Sequence, residues 1–334
     1  MFRYLITLEP LGFLYGSAGR FLSPENLVGR AGMSFPPQAP TVSGLFAARY
    51  GADAMRADKG WQFAGPFWSY VDNPQDFYVP TPMHCLVKEG QVRHLLRWNG
   101  QGWQPETEEK FDKRGWIPIS AWRQLKPGQA VTADPWTFCP HLHPRLQPEQ
   151  RRVWVDETRQ RGSLFLENAV ALQPGVCLAY LSSHPLDAGW YRFGGEGHLV
   201  QVQCQELDKS IQELLNQPVG QTFATITAGV WGSNRLSYRW PVNQEGKPLW
   251  PVTALLTERP HPYRYRLGGT GTGRRLSRGR YAVPAGSVYV LGEALPPWQA
   301  WPDEWFPQEG YSFKRWGCGL ALPLSVDQPQ FAVS

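Results

Sequence analysis

The order of strand-like segments around only two helix-like segments constrains the fold of this chain more than any other feature. FRYLITLEP (residues 2–10) alternates and is rich in β-forming residues, which predicts a first strand. Apolar residues then recur at helical spacing in residues 41–55, where Thr41 or Ser43 would cap the helix, and DKSIQELLNQ (208–217) is the clearest helix. This helix content is too low for a doubly wound sheet. The pattern predicts the α+β class, with tandem ferredoxin-like (RNA-recognition-motif-like) domains.

Glycine and proline punctuation divides the rest of the chain. Residues 57–160 are dense in Trp, Pro and Gly, which predicts a large insertion of long loops and hairpins. The stretch GSLFLENAVALQPGVCLAYL that follows predicts a hairpin of two strands, with its turn at 173–175. We therefore predict an N-terminal domain over 1–205, which contains the insertion, and a C-terminal domain over 206–334 that carries an Arg/Gly-rich loop.

Composition excludes several classes of protein. The chain has 334 residues and an apolar fraction of 42%, which supports about two domains with real cores and excludes a disordered protein. Its five cysteines are scattered and show no C-x-x-C spacing, so neither a disulfide framework nor a zinc ribbon is indicated. The sequence shows no signal-peptide pattern and no apolar run close to the ~20 residues of a spanning helix. These features predict a cytoplasmic protein with no membrane partner.

An arginine-rich segment points to a polyanionic partner. Residues 259–280, RPHPYRYRLGGTGTGRRLSRGR, contain seven arginines, five glycines and no acidic residue. Guanidinium groups form bidentate pairs with phosphate oxygens, glycines let the main chain approach a ligand, and Tyr263 and Tyr265 offer flat faces for unpaired bases. A flexible surface loop is the alternative, but the segment leads directly into the strand-like YAVPAGSVYVL, which favours nucleic-acid contact. Its candidate contact residues are Arg274, Arg275, Arg278 and Arg280.

Two glycine-rich stretches are candidates for phosphate contact. Residues 268–275 lack the G-x-x-x-x-G-K-[ST] pattern and no helix follows them, which argues against a nucleotide-hydrolase site. A glycine loop that holds an RNA backbone through its amide groups fits this stretch better. The stretch from Gly194 to His198 lies between strand-like segments and forms either a tight hairpin turn or, together with Arg192, a phosphate contact. The sequence leaves both interpretations open.

Metal binding and acid–base catalysis have weaker support. Residues 139–143 (CPHLH) and the pair His84-Cys85 contain metal-capable side chains, but their spacing matches no structural zinc pattern. We therefore expect no metal and no cofactor. His198, beside a glycine-rich stretch, is the best-placed nominee for acid–base chemistry, and no partner base is identifiable. A structural histidine is the favoured interpretation.

A tryptophan-rich segment, residues 296–309, begins with PPWQAWPDEWFP. Aromatic side chains are enriched at protein–protein interfaces, where their large area contributes strongly to binding. The alternative is that the tryptophans cover the core beneath a loop. The sequence favours neither interpretation for its three tryptophans, which are Trp298, Trp301 and Trp305.

One segment carries a family resemblance. SFPPQAPTVSGLFAARYG (residues 34–51) resembles the F-P-P-x-x-x-T-x-x-G segment near the start of RAMP-superfamily proteins of the subunit-three family of type III-B (Cmr) CRISPR effector complexes. The similarity extends to the G-R-F turn at 19–21, the glycines at 194–197 and the terminal strand that follows residues 314–319. A closely related type III handle-binding subunit shares the same skeleton and stays an alternative. Residues 57–160 match no family feature.

The resemblance implies an architecture and a role. It implies two packed ferredoxin-like domains with a thumb-like hairpin from an insertion. It also implies a non-catalytic subunit of an antiviral ribonucleoprotein, which grips the repeat-derived 5′ handle of the guide RNA and contacts the large polymerase-like subunit and a backbone RAMP subunit. The RNA-facing candidates that it adds to the arginines are Arg20, Ser34, Phe35, Thr41, Ser43, Arg49, Gly194, Gly195 and His198. The four arginine candidates rest on the residues alone, because they match no family motif.

Two other functions stay open on the sequence. A guide-RNA-processing endoribonuclease on a similar fold would need a general acid or base near the scissile phosphate, for which His198 is the nominee. A protein-only scaffold would use its arginines to meet acidic partners. The enzyme would cut repeat RNA, and the scaffold would show no preference for handle RNA, whereas the leading interpretation predicts RNA binding without cleavage.

Overall fold

The structure of the protein is a computed structural model that describes residues 1–15, 35–55, 60–144, 146–147, 149–153, 164–194, 197–233, 236–268 and 275–324. These residues are rich in strands and contain two α-helices, α1 (Ala39–Tyr50) and α2 (Lys209–Leu215), which is the α+β class that the sequence predicts. No helix in the described ranges is long and apolar enough to cross a membrane. Short 3-10 helices span Ala52–Met55, Ile119–Gln124, Trp298–Ala300, Asp303–Trp305 and Phe313–Trp316.

The strands pair only in the antiparallel sense within the described ranges. In chain order they are β1 (Tyr4–Pro10), β2 (Leu14–Tyr15), β3 (Phe63–Tyr70), β4 (Asn73–Pro80), β5 (Cys85–Lys88), β6 (Gln91–Leu95), β7 (Arg97–Trp98), β8 (Trp103–Gln104), β9 (Trp116–Pro118), β10 (Trp136–Pro144), β11 (Leu146–Gln147), β12 (Gln150–Val153), β13 (Leu164–Leu172), β14 (Val176–Ser182), β15 (Gly189–Phe193), β16 (His198–Glu206), β17 (Gly220–Thr225), β18 (Trp231–Gly232), β19 (Ser237–Tyr238), β20 (Val252–Leu256), β21 (His261–Tyr263), β22 (Arg266–Gly268), β23 (Arg275–Leu276), β24 (Arg280–Ala282), β25 (Val288–Leu295), β26 (Gln308–Glu309), β27 (Tyr311–Ser312) and β28 (Ala321–Pro323).

The larger sheet lies in the N-terminal half and has the strand order β15-β16-β1-β14-β3-β4-β9. The predicted first strand is confirmed as β1, which pairs with β14 on one side and β16 on the other. β14 (VCLAYLS) is buried at every position, as expected for a continuous apolar run in the interior of a covered sheet. Helix α1 packs on this sheet through Phe46, whose ring meets that of Phe63 edge-on at a centroid distance of 4.6 Å.

The second sheet lies in the C-terminal half and has the order β20-β25-β17-β28. Phe223 of β17 and Tyr289 of β25 stack on one of its faces with ring centroids 5.1 Å apart, and Trp250 packs edge-on against both rings. The tryptophan-rich segment covers the same core, because Trp298 and Trp301 are only 0% and 1% exposed. These two side chains therefore belong to the core and not to an interface.

A row of aromatic rings joins the two sheets. Phe63 of β3 contacts Phe46 of α1 and also stacks on Trp316 at 6.2 Å, and Trp316 in turn meets Tyr265 edge-on at 6.1 Å. Gly317 follows directly, in the left-handed region at φ 64°, where a side chain would run into Ala64 and the main chain of β3. Because glycine alone fits this close approach, the C-terminal half can rest directly on the N-terminal sheet.

The predicted insertion at 57–160 is wider than the structural one. β3, β4 and β9 come from this stretch and lie in the larger sheet. Gly65 and Pro66 inside β3 hide the strand from sequence patterns, yet Gly65 is needed there because a Cβ would come within 2.7 Å of the Tyr180 ring. The remainder includes β10, which forms a long hairpin with β13 just beyond the stretch, in register from Trp136 with Leu172 to Pro144 with Leu164.

Among the other local predictions, one helix and one turn are confirmed, whereas a hairpin and a helix cap are not. The helix over 208–217 is confirmed as α2, and the turn at 173–175 is found, but β13 and β14 on either side pair in different sheets and do not form a hairpin. Helix α1 begins at Ala39, ahead of Thr41 and Ser43, so neither residue caps it. Proline near the first helical position fits this start, because its missing N–H would have no partner there.

Gly317→Ala should destabilise the protein by about 2 to 5 kcal/mol, since it adds left-handed strain of about 1 to 2 kcal/mol to an overpacking cost of about 1 to 3 kcal/mol. Gly310 is the matched control, because it has a similar φ of 73° and open space around its missing Cβ. Gly310→Ala should therefore lower the unfolding free energy only by the left-handed strain of about 1 to 2 kcal/mol. Urea unfolding of both variants measures the difference, and equal losses would contradict the close contact between the halves.

Candidate nucleic-acid interface

Helix α1 is the point where the separate sequence candidates come together. It contacts β15, which leads into the glycine-rich stretch at 194–198, and it also contacts β22 of the arginine-rich segment 259–280. Helix α1 itself lies in the F-P-P segment, residues 34–51. Two stretches that are far apart in the sequence therefore meet at the helix of the third.

The start of α1 is held by aromatic side chains. Phe35 is half-buried and meets Trp136 edge-on at 5.1 Å, and the buried Tyr180 hydroxyl donates to the Pro37 carbonyl at 2.6 Å. Thr41 is half-buried, whereas the Ser43 hydroxyl is buried and donates to the Pro40 carbonyl inside the helix. The candidates Arg20 and Ser34 lie outside the described residues.

The end of α1 carries an exposed ion pair. The Nε and Nη2 atoms of Arg49 both lie 2.6 Å from Oδ2 of Asp187, and both side chains are more than half exposed. The hydrogen bond to Asp187 raises the pKa of Arg49. Tyr50 and Tyr191 donate to main-chain carbonyls of the same β14–β15 connection. Arg49 thus fastens α1 to this connection, and Asp187 compensates its charge.

The glycine-rich stretch forms a tight turn between β15 and β16. Gly194 and Gly197 have φ angles of 74° and 68°, which favour glycine, and the Gly197 amide donates to the Gly194 carbonyl at 3.3 Å. Arg192 lies across the turn, since a Cβ on Gly197 would be 3.7 Å from its side chain. His198 is half-buried and pairs with Phe193 directly next to the turn. The candidate Gly195 lies outside the described residues.

The arginine-rich segment is divided between core and surface. Arg280 is only 4% exposed, its Nη1 lies 2.5 Å from Oε2 of Glu309, and its guanidinium stacks 4.8 Å from the Phe313 ring. Arg278 has an exposed side chain, while its amide donates to the same carboxylate at 2.9 Å. The prediction that Arg280 faces RNA is therefore wrong, because Glu309 and Phe313 hold it inside.

The remaining arginine candidates lie at the tip of the segment. Arg274 is outside the described residues, and the structure describes the backbone of Arg275 in β23, where it pairs with Gly268, but not its side chain. Their contact with RNA stays a prediction.

The two tyrosines of the arginine-rich segment are core residues. Tyr263 and Tyr265 are 6% and 7% exposed, and both pack against Phe313 with ring centroids 6.0 and 5.5 Å away. Burial raises the pKa of Tyr265 to about 12. The prediction that these rings stack on bases is wrong, because the core already covers them.

An exposed aromatic side chain that the sequence analysis missed lies on β15. Trp190 is 58% exposed and, with Arg192, occupies the sheet face that points away from α1; Leu199, opposite Arg192 on β16, is 48% exposed. A flat ring beside a guanidinium on a sheet surface is suited to stacking on an unpaired base. The signal in the sequence is the alternation of GWYRF, in which Trp190 and Arg192 share a face.

The metal-capable side chains do not assemble in the described ranges. No three His, Cys, Asp or Glu side chains there are grouped so that they could hold a metal ion. His84 and Cys85 are buried, which lowers the pKa of His84 to about 4 and raises the pKa of Cys85 to about 12. Both groups are therefore neutral at physiological pH, and the Cys85 thiol is not an activated nucleophile.

Comparison with known proteins identifies the family. The family described as "CRISPR-associated protein (Cas_Cmr3)" matches residues 13–326. Two chains of type III-B Cmr-beta structures bound to cognate target RNA, the second also with AMPPnP, match at 10% and 12% identity with TM-scores of 0.48 and 0.49, each over 86% of both chains. A chain of the Csm3–Csm4 subcomplex of the type III-A CRISPR-Cas interference complex matches at 10% identity and a TM-score of 0.39, over 88% of this chain and 94% of that one. No curated protein sequence matches.

The buried arginine and the exposed arginine should respond differently to removal. Arg280→Ala leaves Glu309 without the cation that neutralises it in a largely buried site, so we expect a loss of about 3 to 5 kcal/mol of unfolding free energy. Arg49→Ala removes an exposed pair and should leave the unfolding free energy close to that of the wild type. Urea denaturation of both variants checks this contrast. A small loss of unfolding free energy for Arg280→Ala would show that the ion pair with Glu309 is not essential to the core.

Proposed function

The chain belongs to the Cas_Cmr3 family of CRISPR-associated proteins, and we propose that it is the RNA-binding subunit that anchors the repeat-derived 5′ handle of the guide RNA in a type III CRISPR effector. The observation that carries this proposal is the convergence of the F-P-P segment, the glycine-rich turn and the arginine-rich segment around α1. The family match covers all three stretches. The glycine-rich turn and the arginine-rich segment contribute types of group that bind a phosphate backbone, namely glycine amides and guanidinium groups.

The charges of the described residues support a narrow RNA track. Arg280 is neutralised in the core and Arg49 is paired with Asp187, so the cationic surface is smaller than the number of arginines in these segments suggests. The net charge of the protein is only +5, which disfavours nonspecific electrostatic binding to RNA. RNA on this surface would follow the turn at Gly194, the surroundings of α1 and the tip of the arginine-rich segment.

The strand orders support two ferredoxin-like domains. Counted along the chain, β1, β3, β14 and β16 occupy the larger sheet in the spatial order 4-1-3-2, and β17, β20, β25 and β28 repeat that order in the smaller sheet. In this proposal α1 is the first crossover helix of the N-terminal domain, while the edge strand β15 takes the place of the second helix in the chain order between β14 and β16. The domains would span 1–205 and 206–334, and the β10–β13 hairpin would be the thumb.

The same hairpin is a candidate surface for a protein partner. Leu142 of β10 is 57% exposed, and the paired Leu146 and Val153 of the adjoining β11–β12 hairpin are 51% and 40% exposed; exposed apolar side chains close together mark interaction sites. We propose that the backbone RAMP subunit contacts this hairpin, and contact with the large polymerase-like subunit stays a prediction from the sequence. A cytoplasmic location stays a prediction from the sequence.

RNA binding should depend on the tip of the arginine-rich segment. Arg274→Ala combined with Arg275→Ala should weaken binding of a handle RNA about tenfold, and should lower the slope of log affinity against log salt by about 0.7 for each phosphate that the variant no longer neutralises. Electrophoretic mobility shifts over a salt series measure both effects. The matched control is Arg93→Ala with Arg123→Ala, which removes two exposed arginines elsewhere. Equal weakening by both double variants, or equal binding of a scrambled RNA, would contradict handle recognition by this segment.

The subunit should bind repeat RNA without cutting it. His198 is half-buried next to the turn of the β15–β16 hairpin, and it is the only nominee from the sequence for acid–base chemistry. Purified protein incubated with repeat RNA should therefore leave the RNA intact on a denaturing gel. Specific cleavage by the wild type that His198→Ala abolishes would favour the guide-processing endoribonuclease instead.

A further inference from the structure

The hairpin of β15 and β16 lies at one edge of the larger sheet, and its face that points away from α1 is open to solvent. In this hairpin Trp190 lies opposite Gln201, and Arg192 lies opposite Leu199. Directly opposite residues of an antiparallel pair share a face, with Cβ atoms about 4.5 to 5.5 Å apart. These four side chains, together with Gln203 two residues further along β16, form a surface that we call the outer face.

The centre of the outer face is apolar. Trp190 and Leu199 are diagonal neighbours, which places their Cβ atoms about 7 to 8 Å apart and within reach of an indole ring. Both side chains are about half exposed, and the exposed Leu11 extends the row, because its amide donates to the Leu199 carbonyl at 3.2 Å. An exposed indole offers a wide π-face on which an unpaired base can stack.

Two amide side chains lie next to this apolar centre. Gln203 is exposed and Gln201 is half-buried, and neither side chain hydrogen-bonds to another residue in the part of the chain that the structure describes. Each amide carries two N–H donors and a carbonyl acceptor. Unpaired bases are recognised through hydrogen bonds to their edges, so an amide beside a stacking ring suits such a base.

The charges on either side of the outer face have opposite signs. The exposed Arg192 lies across the glycine-rich turn on the β15 side. Glu9 of β1 is also exposed and lies opposite Gln201 on the other side. A phosphate is therefore attracted to the β15 side and repelled from β1. This polarity favours a nucleic-acid strand that runs along β15 over one that crosses the sheet.

We propose that the outer face binds one unpaired nucleotide of a single-stranded RNA, with the base stacked on Trp190, the base edge at the Gln201 amide and the phosphate at Arg192. The proposal rests on the proposed RNA-binding function and extends it to the side of the larger sheet away from α1. The RNA would pass over the glycine-rich turn between the two sides. A protein partner suits the outer face less, since a stable protein interface takes about 20 to 30 residues a side, whereas one base needs one ring and a few polar groups.

Fluorescence anisotropy of the full-length protein with labelled handle RNA tests the proposal. Trp190→Ala should weaken binding about 5- to 100-fold, and Trp190→Phe, which keeps a flat ring, should recover most of this loss. Leu142→Ala is the matched control, because it removes an apolar side chain of the same exposure from β10, and it should bind RNA like the wild type. Unchanged affinity of Trp190→Ala would overturn the proposal.

A series of handle RNAs in which each base in turn is replaced by an abasic ribose tests the stacking itself. At one position the abasic RNA should bind the wild type as weakly as the intact RNA binds Trp190→Ala. Combining these two changes should then cost little more than either alone, because both remove the same contact. Losses that add at every position would show that Trp190 acts on the fold and not on a base, and would overturn the proposal.

The same measurements separate failure of this proposal from failure of the proposed function. If Arg274→Ala with Arg275→Ala weakens handle binding while Trp190→Ala and Arg192→Ala do not, handle anchoring stands and the outer face is not an RNA site. If Trp190→Ala binds RNA normally but releases a protein subunit from the copurified effector, the outer face is a protein interface. Absence of RNA binding by the wild type would overturn both.

Discussion

The contact of Phe63 with both α1 and Trp316 is the interaction on which the arrangement of this molecule depends. On one side Phe63 meets Phe46 at 4.6 Å, and on the other it stacks on Trp316 at 6.2 Å. Trp316 carries the row on to Tyr265 in the arginine-rich segment. The helix and the basic segment are therefore placed relative to each other by a shared aromatic core. Surface loops alone would not hold distant segments with this accuracy.

The core also decides which arginines can meet a ligand. Glu309 accepts from the Arg278 amide and pairs with Arg280, so one half-buried carboxylate holds the base of the segment and neutralises part of its charge. The charge of Arg49 is compensated by Asp187. The number of arginines in a basic segment therefore overstates the positive charge at the surface, because some of these arginines form ion pairs within the folded protein. Selectivity for one RNA track follows more readily from this reduced set of charges.

Local sequence patterns predicted local elements correctly. Predictions failed where a residue's environment depends on contacts with distant segments. The alternation of residues 2–10 and the periodicity of 208–217 carry enough information for β1 and α2. Tyr263 and Tyr265 look like surface rings between arginines, because the Phe313 that buries them lies far along the chain. Gly65 and Pro66 hide β3 from sequence patterns. The reason for Gly65 is visible only in the structure, where Tyr180 of β14 leaves no room for a Cβ.

Photo-crosslinking of the copurified ribonucleoprotein, with crosslinked peptides read by mass spectrometry, tests most directly whether RNA lies around α1. The account predicts that the 5′ nucleotides of the bound RNA attach to peptides that contain Phe35, His198 or the tip near Arg275. Tyr263 and Tyr265 should stay unmodified, because the core shields them. Crosslinks confined to the β10–β13 hairpin, or 5′ nucleotides that attach to none of the segments around α1, would contradict the account.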